Sequence, residues 1–202
     1  PHRFPRTGFP RRHHVMIWRM TRIGIVTAST RPKRIGHHVA TWVESLSPAG
    51  VEVVPVDLRE LDLPLLDEPE MPSDGHYVHE HSRRWAAVVE SLDAVVLVMP
   101  EYNRGYNAAL KNAIDYLYAE WDGMPVACVG YGWSGAQFAR SALRQTLERI
   151  GMVVIEGAAL HFERTLDLDG TVRADEESTQ SVLAMFQALV EASAEVVQAR
   201  RP

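Results

Sequence analysis

The stretch Ala94 to Leu117, AVVLVMPEYNRGYNAALKNAIDYL, runs from six apolar residues through a polar turn into a helix. The apolar run AVVLVM is short and does not alternate, as in a strand buried on both faces of a parallel sheet. Pro100, Asn103 and Gly105 punctuate it, and Leu110, Ala113, Ile114 and Leu117 then recur at helical spacing. A buried strand that stops at such a turn forms a rigid polar ledge. It suits a flat ligand, whose edge backbone groups can hold while Tyr102 offers a ring. No nucleophile, base and orienting acid are grouped as in a catalytic triad.

Outward from this strand the chain alternates apolar runs and helical periods, the mark of an α/β layer fold. Strands are expected near 22–28, 51–56, 94–99, 125–130 and 152–156. Helical stripes lie between them: Val39, Val43 and Leu46; Trp85, Val88, Val89 and Leu92; Ala139, Ala142, Leu143 and Ile150. A last helix over about 178–199 lines up Val182, Phe186, Leu189, Val190 and Val197. Residues 57–76, with Pro64, Pro69 and Pro72, read as a long acidic loop. The predicted fold is a flavodoxin-like five-stranded parallel sheet in order 2-1-3-4-5, with helices on both faces. Ligands of such sheets bind beyond the carboxyl ends of strands one and three, where the order reverses.

The loop after the first strand carries matching chemistry. In RIGIVTASTRPKRIGHHVATWV (Arg22 to Val43), Thr27, Ser29 and Thr30 offer hydroxyls and Arg31 a forked donor, while Lys33 and Arg34 add positive field. Gly36 gives backbone freedom where the helix opens, and a phosphate there meets free N–H groups and the positive end of the helix dipole. With the ledge, this loop points to a planar, phosphorylated cofactor. GxxxxGK[ST] is absent, which disfavours a nucleotide triphosphatase.

Composition narrows the classes. A chain of 202 residues, 46% apolar, makes one core. Residues 1–22 hold six Arg and no acid, leaving 15 basic against 26 acidic residues in the other 180, a net of −11. Residues 1–21 therefore read as a basic N-terminal extension, and 22–202 as the ligand-binding domain. The acidic body disfavours nucleic acid. No apolar run approaches a membrane span. The lone Cys128 sits in a predicted strand, so no internal disulfide is possible and a reducing cytoplasm is expected.

Four other patterns need weighing. Gly130, Gly132 and Gly135 spell GxGxxG before a helix, with Glu156 about twenty positions on, as in a Rossmann unit. Only 79 residues remain from Met124, too few for that sheet, so close backbone approach to a cofactor ring is preferred, with N–H dipoles at the helix start available to it. His76, His79, Glu80 and His81 in HYVHEH fit no firm zinc spacing and read as a solvated helix start. Lys111 and Asp115 read as a helix-face pair. Tyr116, Tyr118 and Trp121, off the core stripe, suggest either a dimer surface or packing under the long loop.

The combination STRPKRIG, PEYNRGYNAALKNAIDYLYAEW and VGYGWSG resembles the NADPH-dependent FMN reductases, flavodoxin-like quinone, azo and chromate reductases, over about residues 22–156. The resemblance implies noncovalent FMN, NADPH or NADH as reductant, a small-molecule acceptor, and a homodimer or tetramer. It places Ser29, Arg31, Arg34, Gly36 and His37 around the phosphate, and Pro100, Glu101, Tyr102, Asn103 and Gly105 along the isoalloxazine. N–H donors from residues 102–105 would lie near N5 and N3, and Tyr131, Gly132 and Gly135 would border the other edge. Where the family usually shows Ser before a Tyr-Gly pair and Gly after it, this chain has Gly130 and Trp133, which makes Trp133 the candidate for the substrate face. Hydride would pass through flavin N5, with no catalytic side chain and no metal. The alternative is a flavodoxin-type electron carrier without a nicotinamide site. A flavin-free dinucleotide-binding domain ranks third.

Overall fold

The structure, a computed structural model, describes residues 20–199, with side chains to residue 196. The expected extension over 1–21 lies outside this range except for Met20 and Thr21, and Thr21 already belongs to the first strand. Five strands, β1 (Thr21–Thr27), β2 (Val51–Asp57), β3 (Ala94–Pro100), β4 (Pro125–Gly132) and β5 (Val153–His161), form one sheet in the order β2-β1-β3-β4-β5. All four pairings are parallel.

Between them run α1 (Gly36–Ser45), α2 (Leu58–Leu61), α3 (Glu80–Glu90), α4 (Ala108–Asp115) and α5 (Gln137–Arg149), and α6 (Glu176–Ala199) closes the chain. Side chains alternate across the sheet because the strand period is two. Ile23, Ile25, Val96, Val98 and Val129 pack against Val39 and Val43 of α1 and Val182, Phe186 and Leu189 of α6. Val26, Val95, Leu97, Met99 and Val126 pack against Trp85 and Val89 of α3, Leu110 and Ile114 of α4, and Leu143 and Leu147 of α5. Every residue of β3 is buried, which explains its unbroken apolar run.

Several expectations change. In α5 the buried stripe is Ala139, Leu143 and Leu147, whereas Ala142 faces solvent. β5 runs to His161, with a register shift against β4 between Ala127 and Val129. The long acidic loop contains the helical turn α2 and a 3-10 turn, Pro72–Asp74. The side chain of Val197 lies outside the described side chains.

Tyr116 and Trp121 are buried and form no dimer surface. The Tyr116 hydroxyl donates to Pro64 O (3.2 Å) and Asp67 Oδ1 (2.9 Å), and Asn112 Nδ2 donates to Pro64 O (2.7 Å). Tyr116 packs under the long loop and straps it to α4, whereas Trp121 donates from Nε1 to Ile114 O (3.0 Å) and packs edge-on to Trp85, and Tyr118 stays exposed. His81 Nε2 lies 2.9 Å from the same Asp67 Oδ1, and among the described residues no His, Cys, Asp or Glu side chains are grouped to hold a metal. Lys111 and Asp115 pair along α4.

Candidate functional site

Parallel strands end at one edge of the sheet, and here the loops after β1 and β3 meet because β1 and β3 are neighbours. The backbone joins them first: Ala28 N donates to Val98 O at 3.0 Å. Two side-chain hydrogen bonds then lock the junction. Ser29 Oγ and Tyr102 Oη lie 2.8 Å apart, and the buried Asn107 donates from Nδ2 to Ala28 O at 2.7 Å. The guanidinium of Arg31 stands over the Tyr102 ring, 5.9 Å from its centroid. Tyr102 thus turns its side chain toward the first loop.

Tyr102 to Gly105 form a tight turn. Tyr102 N donates to Gly105 O (2.9 Å) and Gly105 N to Tyr102 O (3.0 Å), with Asn103 and Arg104 both at positive φ, 52° and 64°. Two central residues at positive φ are the signature of a type I′ turn. The N–H groups of Tyr102 and Gly105, expected to face a ring, are engaged within the turn. Those of Asn103 and Arg104 remain for a ligand.

Opposite stands the start of α1. Its N-cap position is Ile35, no side chain caps it, and its first turn holds no acid. An uncapped helix start with positive neighbours binds anions. Gly36 serves here by close approach and does not need unusual backbone freedom: a Cβ on it would lie 2.6 Å from Tyr131 Oη. The buried Tyr131 therefore sits beneath the first loop, although its sequence position suggested the far edge of a ring.

Arg31 is exposed, but Arg34 is drawn to Asp57, the last residue of β2, which the β1–β2 register places beside Thr27. Arg34 Nη2 bonds that carboxylate, while its buried Nε and Nη1 have no partner. His37 is exposed and lies against His38, ring centroids 4.0 Å apart. Partial burial, then the nearby His38 and Arg34, hold its pKa below the usual histidine value, so at neutral pH it is uncharged.

The β4 loop closes the third side. Glu101 reaches across from the end of β3 and accepts hydrogen bonds from Phe138 N (2.9 Å), Ala139 N (3.1 Å) and Ser134 Oγ (3.1 Å). It caps α5 from a distance, which the helix needs because its own N-cap residue, Ala136, has no side-chain acceptor. The N–H dipoles of α5, expected to face a cofactor ring, are therefore taken up by Glu101.

Two of the GxGxxG glycines, Gly130 and Gly135, serve packing. A Cβ on Gly130 would meet Gly135 O at 2.3 Å, and one on Gly135, whose φ is +58°, would meet the His161 ring at 2.9 Å. Gly132 also has positive φ, and Glu156 lies exposed in β5 beside Arg144. Trp133 is 66% exposed and packs edge-on to Phe162, centroids 5.3 Å apart. Cys128 is buried, and burial pushes its thiol up to about 12.

Sequence reading missed Asn107, Asp57 and Phe162. Asn107 had a signal, since Asn directly before a helical period reads as an N-cap. Its side chain instead crosses to Ala28 O, a contact that only the fold creates. Asp57 and Phe162 carried no local signal.

The residues fit an anionic, planar ligand. The uncapped α1 start, the exposed Arg31 and the unpartnered Arg34 nitrogens supply donors at one end, and the Pro100–Gly105 ledge supplies a flat edge at the other. Comparison with known proteins agrees. The chain is 36% identical to an NAD(P)H-dependent FMN reductase of Saccharomyces cerevisiae, over 69% of this chain and 80% of that protein. It is 31% identical to a quinone reductase of Pseudomonas putida, over 75% and 86% respectively. A flavoenzyme NAD(P)H:(acceptor) oxidoreductase from Paracoccus denitrificans superposes with a TM-score of 0.69 at 26% identity, covering 87% of this chain and 98% of its own. Residues 21–167, which contain the β1, β3 and β4 loops, match the family described as NADPH-dependent FMN reductase, and the chain belongs to that family.

Proposed function

We propose that this protein is an FMN-dependent NAD(P)H oxidoreductase acting on a small acceptor such as a quinone, with its cofactor at the β1/β3 junction. Bound FMN would supply the hydride chemistry between reduced nicotinamide and the acceptor. The chain's own groups bind and orient. Ser29, Arg31, Gly36 and His37 hold the phosphate at the start of α1, with Arg34 behind them on Asp57. Pro100, Tyr102 and the free N–H group of Asn103 position the ring edge, while Glu101 fixes the β4 loop that borders it. Trp133 and Phe162 wall the face that substrates approach.

The observation that carries this reading is the convergence of the two loops through Ser29–Tyr102 and Asn107–Ala28, beside an uncapped helix start. Anaerobic stopped-flow mixing of the FMN-loaded protein with NADPH tests it. Rapid bleaching of the flavin is expected. A flavin that stays yellow with nicotinamide alone would favour the electron carrier.

The protein is proposed to work as a homodimer or tetramer in the cytoplasm. Leu65, Leu66 and Met71 are exposed on the strapped loop and Val78 just beyond it, and they support an assembly surface. The single buried thiol suits a reducing compartment, and among the described residues no helix is long and apolar enough to cross a membrane. Sedimentation velocity checks the assembly, and a monomer at micromolar concentration would contradict it.

A further inference from the structure

Arg104 occupies the second central position of the Tyr102–Gly105 turn at a φ of 64°. Glycine or asparagine suits that conformation, and arginine adopts it only at a conformational cost. Its guanidinium carbon lies 4.7 Å from the centroid of the Phe138 ring, in the first turn of α5. A guanidinium on an aromatic face keeps its N–H donors directed outward in its plane, and the ring holds it in place. Among the described residues no carboxylate pairs with Arg104. Packing on Phe138 alone does not account for placing a cation on a backbone that glycine would fit better.

The turn also sorts its side chains in two directions. Tyr102 goes to Ser29 and Arg31, toward the phosphate end of the site, whereas Arg104 goes to Phe138, toward the β4 side. An anion at Arg104 is therefore not the phosphate held at α1. It belongs to a second molecule arriving over the ledge.

We infer that Arg104 seats a phosphate of the reduced nicotinamide dinucleotide. The inference rests on the proposed function, in which the ledge carries FMN and nicotinamide approaches its open face. Arg104 is a binding residue that fixes the choice of reductant, with the fork geometry that phosphate favours and a lysine would lack.

The test uses FMN-loaded wild type, Arg104→Gly and Arg104→Lys, with a neutral quinone as acceptor. Arg104→Gly relieves the positive-φ strain, so folding is not put at risk. Three reductants are compared: NADPH, NADH and dihydronicotinamide riboside, which carries no phosphate. In Arg104→Gly the KM for the phosphate-bearing reductants is expected to rise about tenfold or more, with kcat and the riboside KM within about twofold of wild type. Arg104→Lys should recover part of the loss. A rise for NADPH alone assigns the ribose phosphate, and a rise for both dinucleotides assigns the pyrophosphate. Calorimetric titration with NADP⁺ should show the same loss, and FMN affinity should not change.

An equal rise for the riboside, unchanged KM values throughout, or weakened FMN binding in Arg104→Gly would each overturn the assignment. A wild type that binds no FMN, or whose flavin the riboside cannot reduce, would instead sink the underlying reading.

Discussion

Replacing Gly36 with Ala tests how the phosphate end of the site is built. The new Cβ would stand 2.6 Å from Tyr131 Oη, roughly 0.7–1 Å short of an ordinary C···O contact. Tyr131 is buried and has little room to yield. Overpacking of this kind costs about 1–3 kcal/mol, and alanine recovers about 0.5–1 kcal/mol over glycine within a helix. Taken mid-range, the net loss is about 1 kcal/mol, or a fall in Tm of about 2–4 °C for a domain of this size. Displacing the first turn of α1 should also weaken FMN binding about tenfold, since its N–H groups no longer converge. Urea denaturation and fluorescence titration with FMN read both quantities. The decisive variant is the double substitution Gly36→Ala with Tyr131→Phe. Removing the hydroxyl leaves Cζ, at 3.3 Å, as the nearest atom, so the double variant should regain most of the stability lost by Gly36→Ala. The reasoning is refuted if Gly36→Ala matches wild type in both assays, or if the two losses simply add.

Glu101→Ala removes the remote cap of α5 and should cost about 1–3 kcal/mol, with Glu101→Gln in between, measured by urea denaturation. His37, held neutral in the free protein, should gain a proton when a phosphate binds beside it. FMN affinity should therefore increase as pH falls through the raised, bound-state pKa, and His37→Gln should flatten that dependence in a titration series. The sign for stability is opposite: a histidine with a lowered folded pKa costs stability as pH falls below its unfolded value of 6.5, so thermal melts of the FMN-free protein should show a loss that His37→Gln reduces. Cys128, with its thiol pushed up to about 12, should stay unreactive toward a thiol reagent at pH 8 until the protein is unfolded in urea.

Strand order and helix placement were legible because parallel strands buried on both faces leave continuous apolar runs, and β3 is such a run from end to end. Its flanking turn was legible too, since Asn103 and Gly105 mark the turn and the helical period resumes at Leu110. What local pattern could not reveal was where long side chains would reach. Glu101 read as a ring neighbour and proves to cap a helix 37 residues onward, through a carboxylate that only the β3–β4 adjacency brings near. Arg31 reads as the direct contact in STRPKRIG and Arg34 as added positive field, but the partner that holds Arg34 back, Asp57 at the end of the paired strand, has no signal in that motif. The buried fate of Tyr116 depends on the course of the 57–76 loop, which proline and acidic composition do not specify. In the GxGxxG loop, tight self-packing against β5 uses the same glycine pattern as a dinucleotide turn, so spacing alone does not separate the two.

A crystal of the protein soaked with FMN shows whether the cofactor sits at the β1/β3 junction. Flavin density is expected with its phosphate among Ser29, Arg31, Gly36 and His37 at the start of α1 and its ring against Pro100 to Gly105. Flavin bound elsewhere, or an empty junction at saturating FMN, would contradict it.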